Sequence, residues 1–464
     1  MQSKSSFRDP SGFIFIQKDG IYRQINNNYK MHYDHLMNSG LYSTLIEQGL
    51  LIPHEEVNSS IATQHNDLYK VIKPQVIPFI SYPYEWSFNQ LKDAALLTLG
   101  IQKIALEYGM TLKDSSAYNV QFYNGKPVFI DTLSFELYNE GNPWVGYRQF
   151  CQHFFAPLAL MSKSDIRLNQ LLRVYLDGIP VDLASNLLSF KTYFNWSILA
   201  HIHLHAKSQK RYGNKNINTE KINNRMKKEY LIALIDSLES SIKKLHWEPK
   251  NTEWADYYND TNYTENGVQH KKQIVEQFLA KVNPKTVWDI GGNVGIFSRL
   301  ASDKGIPTIC FDIDPAAVDK NYLEVKKRNE KNLLPLLLDV TNPSPNIGWE
   351  NEERESLLSR CRSPVDMVFA LALIHHLVIS NNIPFDKISS FFGKISKYLL
   401  IEFVPKEDSQ VQRLLSTRKD VFPQYTRDHF ERVFSTNFEI VESQKIADSQ
   451  RVLYLMLNHN FALS

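Results

Sequence analysis

Cysteine is scarce: three residues in 464, Cys151, Cys310 and Cys361, and no Cys-x-x-Cys pair. That excludes a disulfide framework and a zinc site of the common spacing, and makes a reducing cytoplasm the expected compartment. Long apolar runs are missing too. The nearest, MVFALALIHHLVI, is interrupted by two histidines and falls short of the roughly 18 residues a spanning helix needs. The first residues, MQSKSSFRDPSG, are polar and lack the apolar stretch of a signal peptide. Charge of one sign is also lacking, with 52 Lys and Arg against 50 Asp and Glu, so the global balance gives no reason to expect nucleic acid or a membrane as partner. No internal repeat is visible. What remains is the composition of a folded chain, 43% hydrophobic and 22% charged, and long enough for two to three domains.

The sharpest compositional break is 207–228, with eight Lys or Arg against one Glu and many Asn. It reads as a solvated linker or as a basic patch. Leu231, Leu234, Ile235, Leu238, Ile242 and Leu245 then recur at helical spacing, as in a strut between two domains. The expected division is 1–206, a linker with its helix at 207–250, and 251–464. In the first region, 13–25 reads as a hairpin turning at Lys18-Asp19-Gly20, and 33–51 and 90–108 read as helices. The span 143–205 is largely helical, and its Tyr147, Phe150, Phe154 and Phe155 are expected in a core.

After residue 283 the rhythm is strand, glycine loop, helix, repeated. Strands are expected at 286–290, 307–311, 334–338, 367–371 and 398–404, and a helix at 297–304. Asp314 is placed to cap the next helix, with Pro315 in its first turn. Such alternation implies a parallel sheet with helices on both faces. Two further strands, 438–443 and 451–456, close the chain as an antiparallel hairpin.

The first of these strands ends in Asp289 and runs through Gly291, Gly292, Asn293 and Gly295 into a helix. Glycines there let backbone approach a ligand, and the helix start offers free N–H groups. A nicotinamide dinucleotide loop needs Gly-x-Gly-x-x-Gly. Counted from Gly291 the third and sixth positions are Asn293 and Ile296, and from Gly292 they are Val294 and Phe297, so that reading fails. The stretch resembles motif I of class I S-adenosylmethionine-dependent methyltransferases, acidic-x-Gly-x-Gly-x-Gly. Asn293 replaces the middle glycine, and Asn tolerates left-handed backbone.

The resemblance implies an α/β domain with a Rossmann-like seven-stranded sheet and a terminal antiparallel hairpin. S-adenosylmethionine would be held by the loop residues, with Asp312 on the ribose hydroxyls and Asp339 at the adenine amino group. Asp366 opens the fourth strand. Tyr263, at the end of the aromatic segment 254–263, and Lys271 on the helix beyond are further cofactor candidates, with plain packing of that helix as the other reading.

Methyl transfer needs an aligned acceptor, exclusion of water and sometimes removal of a proton. Neither Asn/Asp-Pro-Pro-Tyr nor Pro-Cys follows the fourth strand, which disfavours amide methylation of that type and a covalent cysteine mechanism. His375 and His376 follow instead. One of them can face the pocket, since neighbours on a helix point about 100° apart. A histidine there is a candidate base for an acceptor hydroxyl or amine, or packs against the cofactor. Glu402, alone in an apolar strand, is a third catalytic candidate and needs a partner, expected in Lys406 or a histidine. Asp408 and Gln412 are candidates for acceptor contact. No metal is expected here, and the acceptor is expected to be an O or N atom of a small molecule or glycan.

In the first region Asp114, Asn119 and Asp131 follow a long helix. Their spacing is similar to the catalytic loop and metal-binding Asp of protein-kinase-like and aminoglycoside-kinase-like folds. This implies an α+β kinase-like domain with ATP and magnesium at those residues. Leu112 replaces the usual His, no Gly-rich phosphate loop is visible, and Lys70 or Lys73 would have to serve as the strand lysine. Over its whole length the chain looks like bacterial two-domain methyltransferases, some nodulation-related. The expected function is methyl transfer with an accessory first domain. The alternatives are a bifunctional phosphotransferase–methyltransferase and a binding protein without turnover.

Overall fold

The computed structural model describes residues 3–17, 20–62, 67–212, 227–249, 263–361, 363–416 and 419–461. They divide into two compact units, Met1–Glu248 with Asn346–Arg354, and Pro249–Pro345 with Glu355–Ser464.

The first unit is α+β. Strands β1 (Gly12–Gln17), β2 (Gly20–Asn26), β3 (His54–Val57) and β4 (Leu68–Pro74) form an antiparallel sheet in the order β1-β2-β4-β3. The hairpin β1–β2 stands where the alternation put it, although two of its turn residues, 18 and 19, lie outside the described residues. The single helix expected at 33–51 is two, Lys30–Asn38 and Leu41–Glu47. Gly40, at φ +93°, takes a backbone conformation that ends the first and starts the second. Helix Phe88–Glu107 starts at a reciprocal cap between Ser87 and Gln90 and buries Leu91, Ala95, Leu99 and Leu106. Two short two-stranded sheets follow, β5 (Met110–Leu112) with β8 (Phe135–Leu137), and the hairpin of β6 (Val120–Tyr123) with β7 (Lys126–Phe129). Phe150, Phe154 and Phe155 are fully buried in the helical part beyond, where Cys151–Phe155 and Leu199–Leu204 widen into π turns.

Two expectations change in the region read as linker and strut. Helix His205–Tyr212 continues into its start, while 213–226 lie outside the described residues. Helix Lys228–Lys244 belongs to the first unit rather than bridging two. It packs on Phe88–Glu107, with Lys103 held by Asp236 and Glu239, and Lys92 capping the carbonyls of Lys243 and Leu245 at 3.0 and 2.7 Å. Its apolar stripe is satisfied there.

The second unit is α/β. Its strands are β9 (Val287–Ile290), β10 (Thr308–Asp312), β11 (Leu333–Leu337), β12 (Val365–Ala370), β13 (Ser396–Phe403), β14 (Phe438–Lys445) and β15 (Val452–Asn458). They form one sheet in the order β11-β10-β9-β12-β13-β15-β14. The first five in that order are parallel, and β15 runs antiparallel between β13 and β14. The strands of the centre are apolar on both faces, as helices covering both sides require. Strand order reverses at β9, whose neighbours β10 and β12 lead away in opposite directions. The crevice at the carboxyl ends beside such a switch is where open α/β sheets bind ligands.

Candidate active site

A cavity of about 420 Å³ opens at that switch point. It is lined by the β9 loop, the ends of β10 and β12, the residues after β11, and Tyr263 and Lys271 from the preceding segment and helix. Among the sequence candidates, Asp289, Gly291, Gly292, Asn293, Asp312, Asp339, Tyr263, Lys271 and His376 all face it. Gly295, His375 and Glu402 lie behind this wall.

The loop geometry explains its residues. Gly291 (φ +81°), Asn293 (φ +51°) and Gly295 (φ +79°) are left-handed, which is the conformation that Gly and Asn accept. A Cβ on Gly292 would stand 2.5 Å from Cys310 Sγ and 2.7 Å from Asp289 Oδ2. A Cβ on Gly295 would stand 2.6 Å from Asn321 Nδ2.

Two acids carry the polar chemistry of the wall. Asp289 Oδ2 accepts from Ser298 Oγ at 2.6 Å, while its buried Oδ1 has no hydrogen-bond partner among the described residues. Asp312 accepts from the N–H of Asn293 at 2.8 Å and of Asp314 at 2.9 Å, one bond to each oxygen. Burial raises both carboxyls to about 6, against the bonds from Ser298 in one and the backbone in the other. Asp339 shapes its own turn, accepting from Thr341 N at 2.9 Å and Thr341 Oγ1 at 2.6 Å. Asp366 is elsewhere, at the amino end of β12, bonded to Lys285 N and Lys397 Nζ.

The histidines separate as helical geometry demands. His376 lines the cavity, and burial with nearby Arg451 lowers its imidazole to about 4. His375 is fully buried, neither ring nitrogen has a hydrogen-bond partner among the described residues, and burial holds it well below the ordinary range.

Glu402 finds its partners in neither Lys406 nor a histidine. Lys406 pairs with Asp420 instead. The Glu402 carboxylate accepts from Tyr263 OH, from Lys271 Nζ at 2.6 Å, from the N–H of Ala372 at 2.9 Å and from Arg451 Nη1 at 3.4 Å. Burial would raise Glu402, but Lys271 and Arg451 outweigh it and hold the carboxyl below its usual value. Burial lowers Lys271 against the opposing pull of Glu402. Arg451 in turn grips Asp408 through two bonds of 2.7 and 2.9 Å. Asp408 is therefore committed to this buried cluster, and Gln412 bonds to the carbonyl of Lys406 at 2.6 Å.

Sequence reasoning missed Arg451. Its signal was the one that marked Glu402, a charge abutting an apolar strand. Ala372 was missed as well: it turns the chain after β12 at φ +50°, which is strained for a side chain with a Cβ, and its N–H is fixed by Glu402.

In the first unit the three kinase-like positions share one network. Asp114 is bonded to Ser116 N at 2.9 Å and to the side chains of Asn119 and Gln149, Asn119 reaches Ser134 Oγ at 3.2 Å, and Ser134 donates to Asp131 at 2.8 Å. Burial and then Asp131 raise Asp114. The cation on Asp131 is Arg23 of β2, whereas Lys70 pairs with Glu56 and Lys73 lies over the Tyr22 ring. The segment Asn346–Arg354 contributes Glu353, which accepts from Arg8 at 2.7 and 2.9 Å, and Arg354, whose guanidinium stacks 4.3 Å from the Tyr118 ring.

No family model matches the chain. Among solved structures it is similar to WbdD, titled a bifunctional kinase-methyltransferase, at 13% identity and TM-score 0.31 over 45% of this chain and 44% of that one, less than half of WbdD. It is similar to magnesium protoporphyrin IX methyltransferase of Synechocystis PCC 6803 at 15% identity and TM-score 0.32, over 44% and 92% of the two chains. N-methyltransferase NodS of Bradyrhizobium japonicum WM9 matches at 11% identity and TM-score 0.31, over 42% and 97%. Nodulation protein NoeA of Rhizobium meliloti strain 1021 is 36% identical to the chain over 458 residues, covering 97% of this chain and 94% of that protein. With 36% identity that runs through both units, the chain belongs to the family of nodulation protein NoeA.

Proposed function

We propose that the second unit transfers the methyl group of S-adenosylmethionine to an O or N atom of a small-molecule or glycan-type acceptor. The observation that carries this reading is the wall of the switch-point cavity: a buried carboxylate oxygen on Asp289 with no hydrogen-bond partner among the described residues, and a second acid on Asp312. These features fit the donor. Asp289 Oδ1 would take its ammonium, Asp312 would accept from the ribose hydroxyls, Asp339 would meet the adenine amino group, and Lys271 would face its carboxylate. The bound donor supplies an activated methyl on a sulfonium.

The chain's residues do the rest. Leu371, Leu373 and Leu377 give the cavity an apolar wall that excludes water. His376, neutral at physiological pH, accepts the acceptor's proton. Glu402 touches no reacting atom in this reading. It is a positioning residue that holds Lys271, Tyr263 and the strained turn at Ala372. The first unit is read as accessory, because Asp131 already holds Arg23 where a metal-bound phosphate would compete.

The test is transfer of labelled methyl from S-adenosylmethionine to metabolite and oligosaccharide extracts by the full chain. Label should enter acceptors with the wild type and drop at least tenfold with Asp312→Ala, which loses two hydrogen bonds worth about 1.5–3 kcal/mol each. A folded chain that neither binds the donor in calorimetry nor transfers label would overturn the reading.

A further inference from the structure

The global charge balance hides a local asymmetry in the first unit. Between Asp182 and the end of helix His205–Tyr212 there is no Asp or Glu, while Lys191, Lys207, Lys210 and Arg211 all fall in that span. The same span carries the largest exposed aromatics of the described residues. Phe190 is 74% exposed, Phe194 83% and Trp196 74%, all within seven residues on two single-turn helices, Phe190–Phe194 and Trp196–Ile198. Leu187 and Leu204 add 42% and 45% exposure beside them. Phe190, Tyr193 and Phe194 form one cluster: Phe190 lies 5.5 Å from Tyr193 and 5.9 Å from Phe194, and the Lys207 ammonium sits 5.8 Å from the Tyr193 ring. Helix Lys228–Lys244, packed alongside, carries Glu229 in its first turn and Asp236 and Glu239 further on, the last two tied to Lys103.

Single exposed apolar residues need no explanation, but three large rings within seven residues do. Their company selects the occupant. Phe and Trp on short turns flanked by lysines, with no acid among them, match a lipid headgroup layer, where rings enter the acyl boundary and ammonium groups meet anionic phosphates. We propose that this aromatic and basic face binds the surface of an anionic membrane peripherally. Among the described residues no helix is long and apolar enough to cross one, so the attachment is a docking of this face. It is independent of the cavity chemistry.

Cosedimentation of the full chain with vesicles tests it. With phosphatidylcholine containing about a third phosphatidylglycerol the wild type should pellet at low salt. It should bind phosphatidylcholine alone at least tenfold more weakly, and be released by salt near 0.5 M, where charges more than a few ångströms apart are screened. Phe190→Ala/Phe194→Ala/Trp196→Ala should lose at least tenfold in affinity, and Lys191→Glu should shift the salt dependence. If the triple variant fails to fold, Phe194→Ser alone should still weaken binding several-fold. Wild type that stays in the supernatant with anionic vesicles overturns the proposal, and so does a folded variant that binds as well. A triple variant that instead converts a vesicle-free dimer to monomer in sedimentation, with no wild-type lipid binding, assigns the face to a second copy.

Discussion

At the scale of single residues, the role proposed for the cavity acids ties donor binding to pH. Asp289 and Asp312 sit at about 6 in the folded chain, above the ordinary carboxyl value of 3.8. The folded state therefore takes up their protons first, so as pH falls through 6 these two groups stabilise the ligand-free fold, an effect complete below the unfolded value. The donor needs both acids ionised. Its thermal shift should thus shrink as pH falls through 6 even though the ligand-free protein is not weakened by these groups. A shift that stays constant between about pH 5 and pH 8 would contradict the assignment. His376 differs: at about 4 it is neutral across that range. His376→Gln should lower turnover by roughly 10²–10⁴ with cofactor affinity retained, and the imidazole should contribute no loss of rate until pH nears 4. His375, buried with neither nitrogen partnered among the described residues, should behave in the opposite manner. His375→Leu removes polar atoms that gain nothing from burial, so the melting temperature should hold or rise with turnover unchanged. A collapse of turnover in that variant would move the base to His375.

At the scale of elements, the buried charges Lys271, Glu402, Arg451 and Asp408 join the helix Glu265–Val282 to β13, to the start of β15 and to the loop after β13. Removing one member leaves others buried and unpaired. Glu402→Ala should cost about 3–5 kcal/mol in denaturant unfolding, and pairing it with Lys271→Met should recover part of that. A loss below about 1 kcal/mol would mean that water enters the cluster and screens it. The cluster also shows what the sequence could and could not convey. The parallel strands, the glycine loop and the acids closing β9 and β10 were legible because each follows from local pattern: apolar runs, left-handed positions, a carboxylate at a strand end. Glu402 was legible as an anomaly, but its partners were not, because Tyr263, Lys271 and Arg451 come from 139, 131 and 49 residues away. The break at Gly40 was hidden for the converse reason, since an apolar stripe continues across it while one residue changes the backbone.

At the scale of the whole molecule, the first unit is closed by a piece of chain that sequence order assigns to the second. Glu353 is nearly buried there, with its side chain 4% exposed. Burial pushes its carboxyl up, but Arg8 and the N–H of Trp349 overcome this and hold it below the usual range. Glu353→Ala should therefore destabilise the first unit, seen as faster amide exchange in β1, β2 and helix Phe88–Glu107, with cofactor binding in the second unit retained. Uniform loss in both units would show that they unfold as one. The same threading sets an order of events during synthesis. The chain leaves the first unit at Glu248, lays down β9, β10 and β11, and returns only at Asn346. At roughly 5–20 residues per second, the hundred residues between take about 5–20 s to emerge from the ribosome. For that interval a nearly finished first unit waits without Glu353 and Arg354, beside three strands that have no β12. The first unit is finished only when Arg354 emerges, with β12, β13, β14 and β15 of the second still to come, so a stall or a premature stop before residue 354 yields two unfinished bodies rather than one finished domain and a fragment.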